Sequence, residues 1–301
     1  MIELWIPLTV AAAFLQNIRS ALQKHLKGDL GTAGATFVRF AYGFPLAIAY
    51  VAGLALLSGQ PLPRPGPAFA LYVVVGGIAQ IVATALLVSL FSLRNFAVGT
   101  TYSKTETVQT ALFGIVILGE RPSPGALLGI VIGLIGVMVI SVAKGATARG
   151  VWLAWTSRPA LIGLASGAAF GIAAVSYRAA SLSLAAGGVF LRAGFTLACV
   201  TVLQTAIMAL YIRIREPGQL SRVAAAWRTA IWVGVAGVAA SIGWFTAMTL
   251  ENAAYVRALG QIELVFTVIA SVVIFREHAS RTEAAGIALV IAGILVLILL
   301  R

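Results

Sequence analysis

Eight ionisable residues of this sequence stand inside or beside long apolar runs: Arg19, Arg39, Lys104, Arg178, Arg192, Arg257, Glu106 and Glu263. If those runs cross hydrocarbon, each charge costs at least about 2.5 to 3.5 kcal/mol, so it must face a cavity or an opposite charge. Glu106 falls about ten residues into its run, or ~15 Å at the helical rise, and Glu263 lies at matching depth in a later one. A carboxyl with few partners there is suited to taking up and releasing protons, and so to coupling a proton gradient to another movement. The alternative is a permanent ion pair: Glu106 with Lys104, Arg257 with Glu263, or pairs between runs. Residues two apart on a helix do not face one another, which favours partners on different helices.

Lys104, about eight residues deep, is placed to contact an anionic group, and Arg257 is a second candidate of this kind. Tyr102 precedes Glu106 by four residues and Tyr255 precedes Glu263 by eight, so each shares a face with its carboxyl. With Trp244 they can shape a pocket or simply pack in the core. The first apolar run carries Gln16, Asn17, Arg19, Ser20 and Gln23, of which Gln16, Ser20 and Gln23 form one stripe. That stripe lines a pathway or bonds neighbouring helices. For Arg39, Arg178 and Arg192, nearer the run ends, snorkelling or binding helix carbonyls is expected. Trp5, Trp152, Trp155 and Trp227, at run ends, are expected in an interfacial belt.

The elements that must position these groups follow from composition. Of 301 residues 60% are hydrophobic and only 10% charged, and the mean hydropathy is +1.01. No soluble surface can be built from that, so an all-α polytopic membrane protein is expected, with the lipid bilayer as its partner. A soluble enzyme, a disulfide scaffold and a disordered linker are excluded, and Cys199, the one cysteine, has no internal partner. A net charge of +12 needs no nucleic-acid partner, because basic residues collect in cytoplasmic loops. A cleaved signal peptide is not expected, with Glu3 where a positive region would stand. His25 and His278 are far apart, no ligand cluster has metal spacing, and no phosphate-binding loop occurs, so neither a cofactor nor an enzyme is expected.

A ruler of about 20 apolar residues gives ten spans, near 4–24, 33–57, 68–91, 96–118, 123–143, 160–181, 187–211, 227–249, 253–275 and 282–300. The stretches from Gln60 to Pro67 and from Arg213 to Arg222 read as turns and loops. Sliding the chain by 157 residues superposes Asn95 on Asn252, Ala97 on Ala254, Glu106 on Glu263, Glu120 on Glu277, Ser123 on Ser280, Gly129 on Gly286 and Gly136 on Gly293. The chain therefore divides into repeats at 1–145 and 160–301 with a loop at 146–159. Five spans per repeat is an odd number, so the repeats are expected to be inserted with opposite orientation, a plan that puts binding sites near the midplane. Glycines every four residues, Gly125, Gly129 and Gly133, then Gly163, Gly167 and Gly171, predict close helix approach. Twelve loop cations fall on one side and Arg64, Arg121 and Arg301 on the other, which places both termini outside the cytoplasm.

Leu118-Gly119-Glu120-Arg121, followed by a glycine-rich fifth span, resembles the signature that closes the fourth helix of EamA-type members of the drug/metabolite transporter superfamily. Phe275-Arg276-Glu277-His278 is a degraded copy, and Glu263-Leu264-Val265-Phe266 is similar to the family's Glu-Pro-Val-Phe segment, with Leu264 where proline is usual. The resemblance implies ten helices around a central cavity and alternating access. It also implies cargo among amino acids, small metabolites, drugs, nucleotide sugars or sugar phosphates. In bacterial members such proteins are often exporters, which places this one in the inner membrane. The expectation is an exporter of amino acids or related carboxylates, with proton coupling through Glu106 and Glu263. The alternatives are an exchanger of sugar phosphates or nucleotide sugars and a non-transporting membrane scaffold or sensor. Oligomeric state is left open.

Overall fold

A computed structural model describes residues 3–90, 101–143, 157–274 and 280–301. Within these every regular element is helical. The helices are α1 (Trp5–Ala41), α2 (Phe44–Ser58), α3 (Pro67–Leu90), α4 (Glu106–Leu118), α5 (Pro124–Ala143), α6 (Arg158–Ser183), α7 (Val189–Arg215), α8 (Gln219–Ala225), α9 (Trp227–Leu250), α10 (Ala253–Gly260), α11 (Glu263–Ile274) and α12 (Arg281–Leu300). Residues 101–103 are helical as well. Asn95, Ala97, Trp152, Trp155, the loop cations Arg94, Lys144, Arg149 and Arg276, and the segment Phe275 to His278 lie outside the described residues.

Seven helical stretches among the described residues are long and apolar enough to cross a bilayer: Gly28–Ser58, Pro67–Leu87, Pro124–Ser141, Arg158–Ser183, Val189–Arg215, Trp227–Leu250 and Arg281–Leu300. Their outward faces carry side chains that water would not tolerate in such density; Leu57 is 90% exposed and Val116, on α4, 81%. The stretches around Glu106 and Glu263, each expected as one span, are interrupted. The pieces α4, α10 and α11 have 13, 8 and 12 residues, each too short to cross alone.

Helix ends have local causes. Gly119 takes φ 66, and Gly119 N–H returns to the Ile115 carbonyl while Glu120 N–H returns to that of Gly114. This is the turn that stops a helix with a left-handed residue. The Leu-Gly-Glu-Arg signature is thus, physically, a helix stop. Ser123 and Ser280, superposed by the repeat, both act as N-caps: Ser123 Oγ accepts from Ala126 N–H at 3.0 Å, and Ser280 Oγ from Glu283 N–H at 3.1 Å. Two departures from the expected spans occur in α1 and before α9. Helix α1 runs on past Gln23 and breaks at Gly31 (φ 60, ψ −172). The segment expected as loop between Arg213 and Arg222 is largely helical, because α7 continues to Arg215 and α8 buries Gln219 and Val223.

The chain forms two compact units that each draw on both sequence repeats: unit 1, Met1–Ile78 with Ser176–Glu251, and unit 2, Ala79–Val175 with Asn252–Arg301. In unit 1, α1 lies on α9, where a Cβ on Gly243 would stand 2.9 Å from the Ala12 Cβ. Tyr177 stacks on Phe245 at 4.5 Å, donates to the Gly76 carbonyl and accepts from Gln204. Gln23 donates to the Ala35 carbonyl across the Gly31 break, and Trp5, expected at the interface, is buried with its indole N–H on Glu3.

In unit 2, α5 and α12 meet backbone to backbone. A Cβ on Gly129 would stand 2.6 Å from Leu297 N and 2.7 Å from the Gly293 carbonyl oxygen. One on Gly136 would stand 2.7 Å from Val290 N and 2.8 Å from the Gly286 oxygen. Only glycine permits such an approach. Position 129 meets 293, the repeat partner of 136, and position 136 meets 286, the repeat partner of 129. Gly129→Ala should therefore lower the thermal unfolding midpoint of the detergent-solubilised protein, at a cost of about 1 to 3 kcal/mol. Gly53→Ala on α2, where a Cβ meets nothing within 4 Å, should leave it unchanged or raise it.

Candidate functional site

The two interrupted spans of unit 2 break at repeat-matched places. In the first, Lys104 N–H bonds the Thr101 carbonyl and Thr105 N–H that of Tyr102, both at 3.1 Å, before α4 starts at Glu106. In the second, Gln261 N–H bonds Ala258 and Ile262 N–H bonds Leu259, before α11 starts at Glu263. Positions 104 and 105 superpose on 261 and 262, and 106 on 263, at the same offset of 157. Neither break contains proline. In the first, Thr105 Oγ1 donates to the Tyr102 carbonyl at 2.6 Å and takes that acceptor from the helix. The second follows Gly260, and the helix breaks there although Leu264 stands where the resemblance leads one to expect proline.

Across these breaks two ion pairs are crossed. Lys104 Nζ stands 2.7 Å from Glu263 Oε1, and the Arg257 guanidinium pairs with Glu106 Oε1. Both pairs join one interrupted stretch to the other. The Lys104 and Glu263 side chains keep 33% and 18% of their surface and those of Arg257 and Glu106 21% and 11%, so the cluster is enclosed without being sealed. Two cations and two carboxylates leave it with no net charge.

Neutral side chains complete the arrangement. Gln261, the repeat partner of Lys104, donates to Thr107 Oγ1 at 2.8 Å, so each break reaches the helix start of the other. Thr110 and Thr267, also repeat partners, donate to the carbonyls of Glu106 and Glu263 at 2.7 and 2.8 Å. Gln109 donates to Thr105 Oγ1. Helix α6 closes one flank: a Cβ on Gly167 would stand 2.9 Å from the Ser103 carbonyl oxygen, and one on Gly171 3.1 Å from Thr110 Oγ1. The glycine spacing of the sixth span thus presses backbone against the first break. Thr107, Thr110, Gln261 and Thr267 were not singled out from sequence, although the 157-residue offset that matched the carboxylates also superposes the two threonines.

The remaining candidates divide between the units. Tyr102 is buried beside Lys104 in sequence, and Tyr255 is buried with its hydroxyl accepting from Ser123 N–H at 3.1 Å. Gln16, Asn17, Arg19 and Trp244 belong to unit 1. Arg19 and Trp244 are buried there, and a Cβ on Gly237 would lie 3.5 Å from both the Arg19 and the Arg39 stems. Arg178 donates through Nη1 to the carbonyls of Met248, at 2.7 Å, and Glu251, where α9 ends. No group of three or more His, Cys, Asp or Glu that could hold a metal occurs among the described residues.

Long helices with apolar outward faces and a charge cluster drawn from two repeat-matched stretches define a polytopic membrane protein with an internal repeat. The profile of the EamA-like transporter family matches it twice, at residues 3–142 and 157–299, and the chain belongs to that family. A solved structure titled only "Crystal structure of protein" shares the fold, with a TM-score of 0.72 at 21% identity over 99% of this chain and 97% of its own. No curated protein matches the sequence.

Crossed pairing has a measurable signature. In double-mutant cycles with glutamine replacements, Lys104 with Glu263 and Arg257 with Glu106 should each show a coupling in thermal stability of about 1 to 3 kcal/mol. The Lys104 and Glu106 cycle should give clearly less. Equal coupling in all three cycles would contradict the arrangement.

Proposed function

We propose that this family member is a secondary transporter of ten spans, with oppositely inserted halves at 1–145 and 160–301 joined by 146–159. It moves a small zwitterionic metabolite, such as an amino acid or related carboxylate, out of the cell by alternating access. The observation that supports this most is the electroneutral, crossed cluster at two matched helix breaks. Interrupted helices that present charges and freed backbone to an enclosed space are a general device for binding small ions and metabolites. The reciprocal glycine contacts of α5 and α12 support the inverted arrangement, since a two-fold relation makes position i meet j while j meets i.

The chemistry of exchange follows from the pairing. A cargo carboxylate takes Lys104 as Glu263 lets go, and a cargo ammonium takes Glu106 as Arg257 lets go, with the total charge unchanged throughout. A phosphate dianion would leave surplus negative charge in a poorly solvated place, which disfavours sugar phosphates and nucleotide sugars. A proton arriving at Glu106 or Glu263 cancels that carboxylate's hold on its cation, so either residue can couple cargo to a proton gradient. Tyr102 and Tyr255 are proposed cargo contacts in unit 2. Within unit 1, Gln16, Asn17, Arg19 and Trp244 are proposed contacts. We place the protein in the bacterial inner membrane with both termini outside the cytoplasm, because the ten-span reading of the sequence puts twelve cations on one side against three on the other.

Proteoliposomes offered labelled amino acids and sugar phosphates, with and without a pH gradient, test this directly. Saturable amino-acid flux that a pH gradient accelerates is expected, with Lys104→Ala and Glu263→Gln reducing it at least tenfold in protein that still elutes as a folded species. Full flux in Lys104→Ala would remove that residue from the site. A folded protein that moves no solute would leave a scaffold whose ion pairs are structural. A reporter fused after Arg301 should behave as extracytoplasmic.

A further inference from the structure

The segment from Arg213 to Arg228 in unit 1 takes no part in the charge cluster, yet it concentrates basic and aromatic side chains. Arg213, Arg215, Arg222 and Arg228 are all exposed, against one acid in the segment, the half-buried Glu216, so four positive charges less one negative leave +3. Asp29, on the part of α1 that packs here, is also exposed. Trp227 is exposed over half its surface, and the Arg228 guanidinium carbon lies 5.7 Å from its ring centre.

This is a held surface rather than a loose loop. Helix α8 buries Gln219 and Val223. The Gln219 side-chain amide donates to the Leu30 carbonyl, just before the Gly31 break, and the Tyr42 hydroxyl donates to the Val223 carbonyl at 3.1 Å. Arg222 on the outer face of α8 is therefore fixed between the cationic end of α7 and the aromatic start of α9. The apolar surface of α7, with Leu210 and Ile214 exposed, and that of α9, with Ile231 and Trp232 exposed, flank the segment on either side. The arginines stand among and at the edge of these apolar side chains.

We propose that Arg213, Arg215, Arg222 and Arg228, with Trp227, form a binding surface for the anionic headgroups of the surrounding bilayer. Charge complementarity and depth together select this occupant. An arginine close to a membrane surface adds about fivefold to affinity for anionic lipid, and a tryptophan at the same level anchors in the interface. A soluble polyanion would gain the charge contacts but not the flanking apolar contact. Because α8 is tied to the Leu30 carbonyl, headgroup binding also steadies the broken part of α1.

The test is quenching of tryptophan fluorescence in the full-length detergent-solubilised protein by chain-brominated phosphatidylglycerol or phosphatidylcholine. The Trp227 contribution is isolated by subtracting Trp227→Phe. Half-quenching of that contribution should need at least tenfold less phosphatidylglycerol than phosphatidylcholine. Replacing all four arginines with glutamine should abolish the preference, while replacing them with lysine should keep most of it. If the fourfold glutamine variant aggregates, Arg222→Gln and Arg228→Gln singly should each weaken the preference about fivefold. Equal quenching by both lipids, or an unchanged preference in the glutamine variants, would overturn the proposal. So would a preference that millimolar inorganic phosphate or a short oligonucleotide displaces, since that would identify a soluble polyanion as the occupant.

Discussion

A charge kept within a hydrocarbon layer needs an opposite charge close by, and the chain meets this need in one place with four residues from two matched breaks. The pairing is crossed, and that is its main structural consequence. Had Lys104 satisfied Glu106, each interrupted span would be electrostatically self-contained. Because Lys104 reaches Glu263 and Arg257 reaches Glu106, neither span is complete without the other, and both breaks are fixed by the same two contacts. Gln261 on Thr107 extends the same reciprocity with neutral groups.

Backbone polar groups obey a parallel rule. At several helix interruptions and ends among the described residues, a side chain or a tighter turn takes up what is freed. Thr105 answers the Tyr102 carbonyl, Gln219 that of Leu30, and Arg178 those of Met248 and Glu251. Several polar residues that stand out in an apolar sequence are accounted for in this way, as partners for backbone rather than for cargo. Gln219 is the clearest case, its amide taking the Leu30 carbonyl just before the Gly31 break, while Gln23 of the first polar stripe ties the two sides of that break through the Ala35 carbonyl.

What could be read from sequence was whatever depends on composition, depth and period. The lipid-facing class, the 157-residue offset that matches Glu106 to Glu263 and the packing role of Gly129, Gly167 and Gly171 all follow from one-dimensional patterns. The breaks do not. An apolar run that continues through Ser103-Lys104-Thr105 or Gly260-Gln261-Ile262 reads as one helix, because the interruption comes from side-chain bonds and neighbour contact rather than from proline. Partner choice was equally hidden, since spacing disfavours the Lys104 and Glu106 pair but cannot say which helix supplies the replacement. Helix α8 escaped because Arg-Glu-Pro-Gly has turn chemistry, while its helicity rests on burying Gln219 and Val223.

The glycine seam between α5 and α12 has a further implication. Gly129 answers Gly293 and Gly136 answers Gly286, so the face one half presents is, residue for residue, the face the other half needs. A surface of that kind fits its own reversed copy. A chain of half this length would already carry both glycine positions that the seam uses. Fusing two copies adds not the contact itself but the freedom for each to diverge, as Lys104 and Gln261 have done.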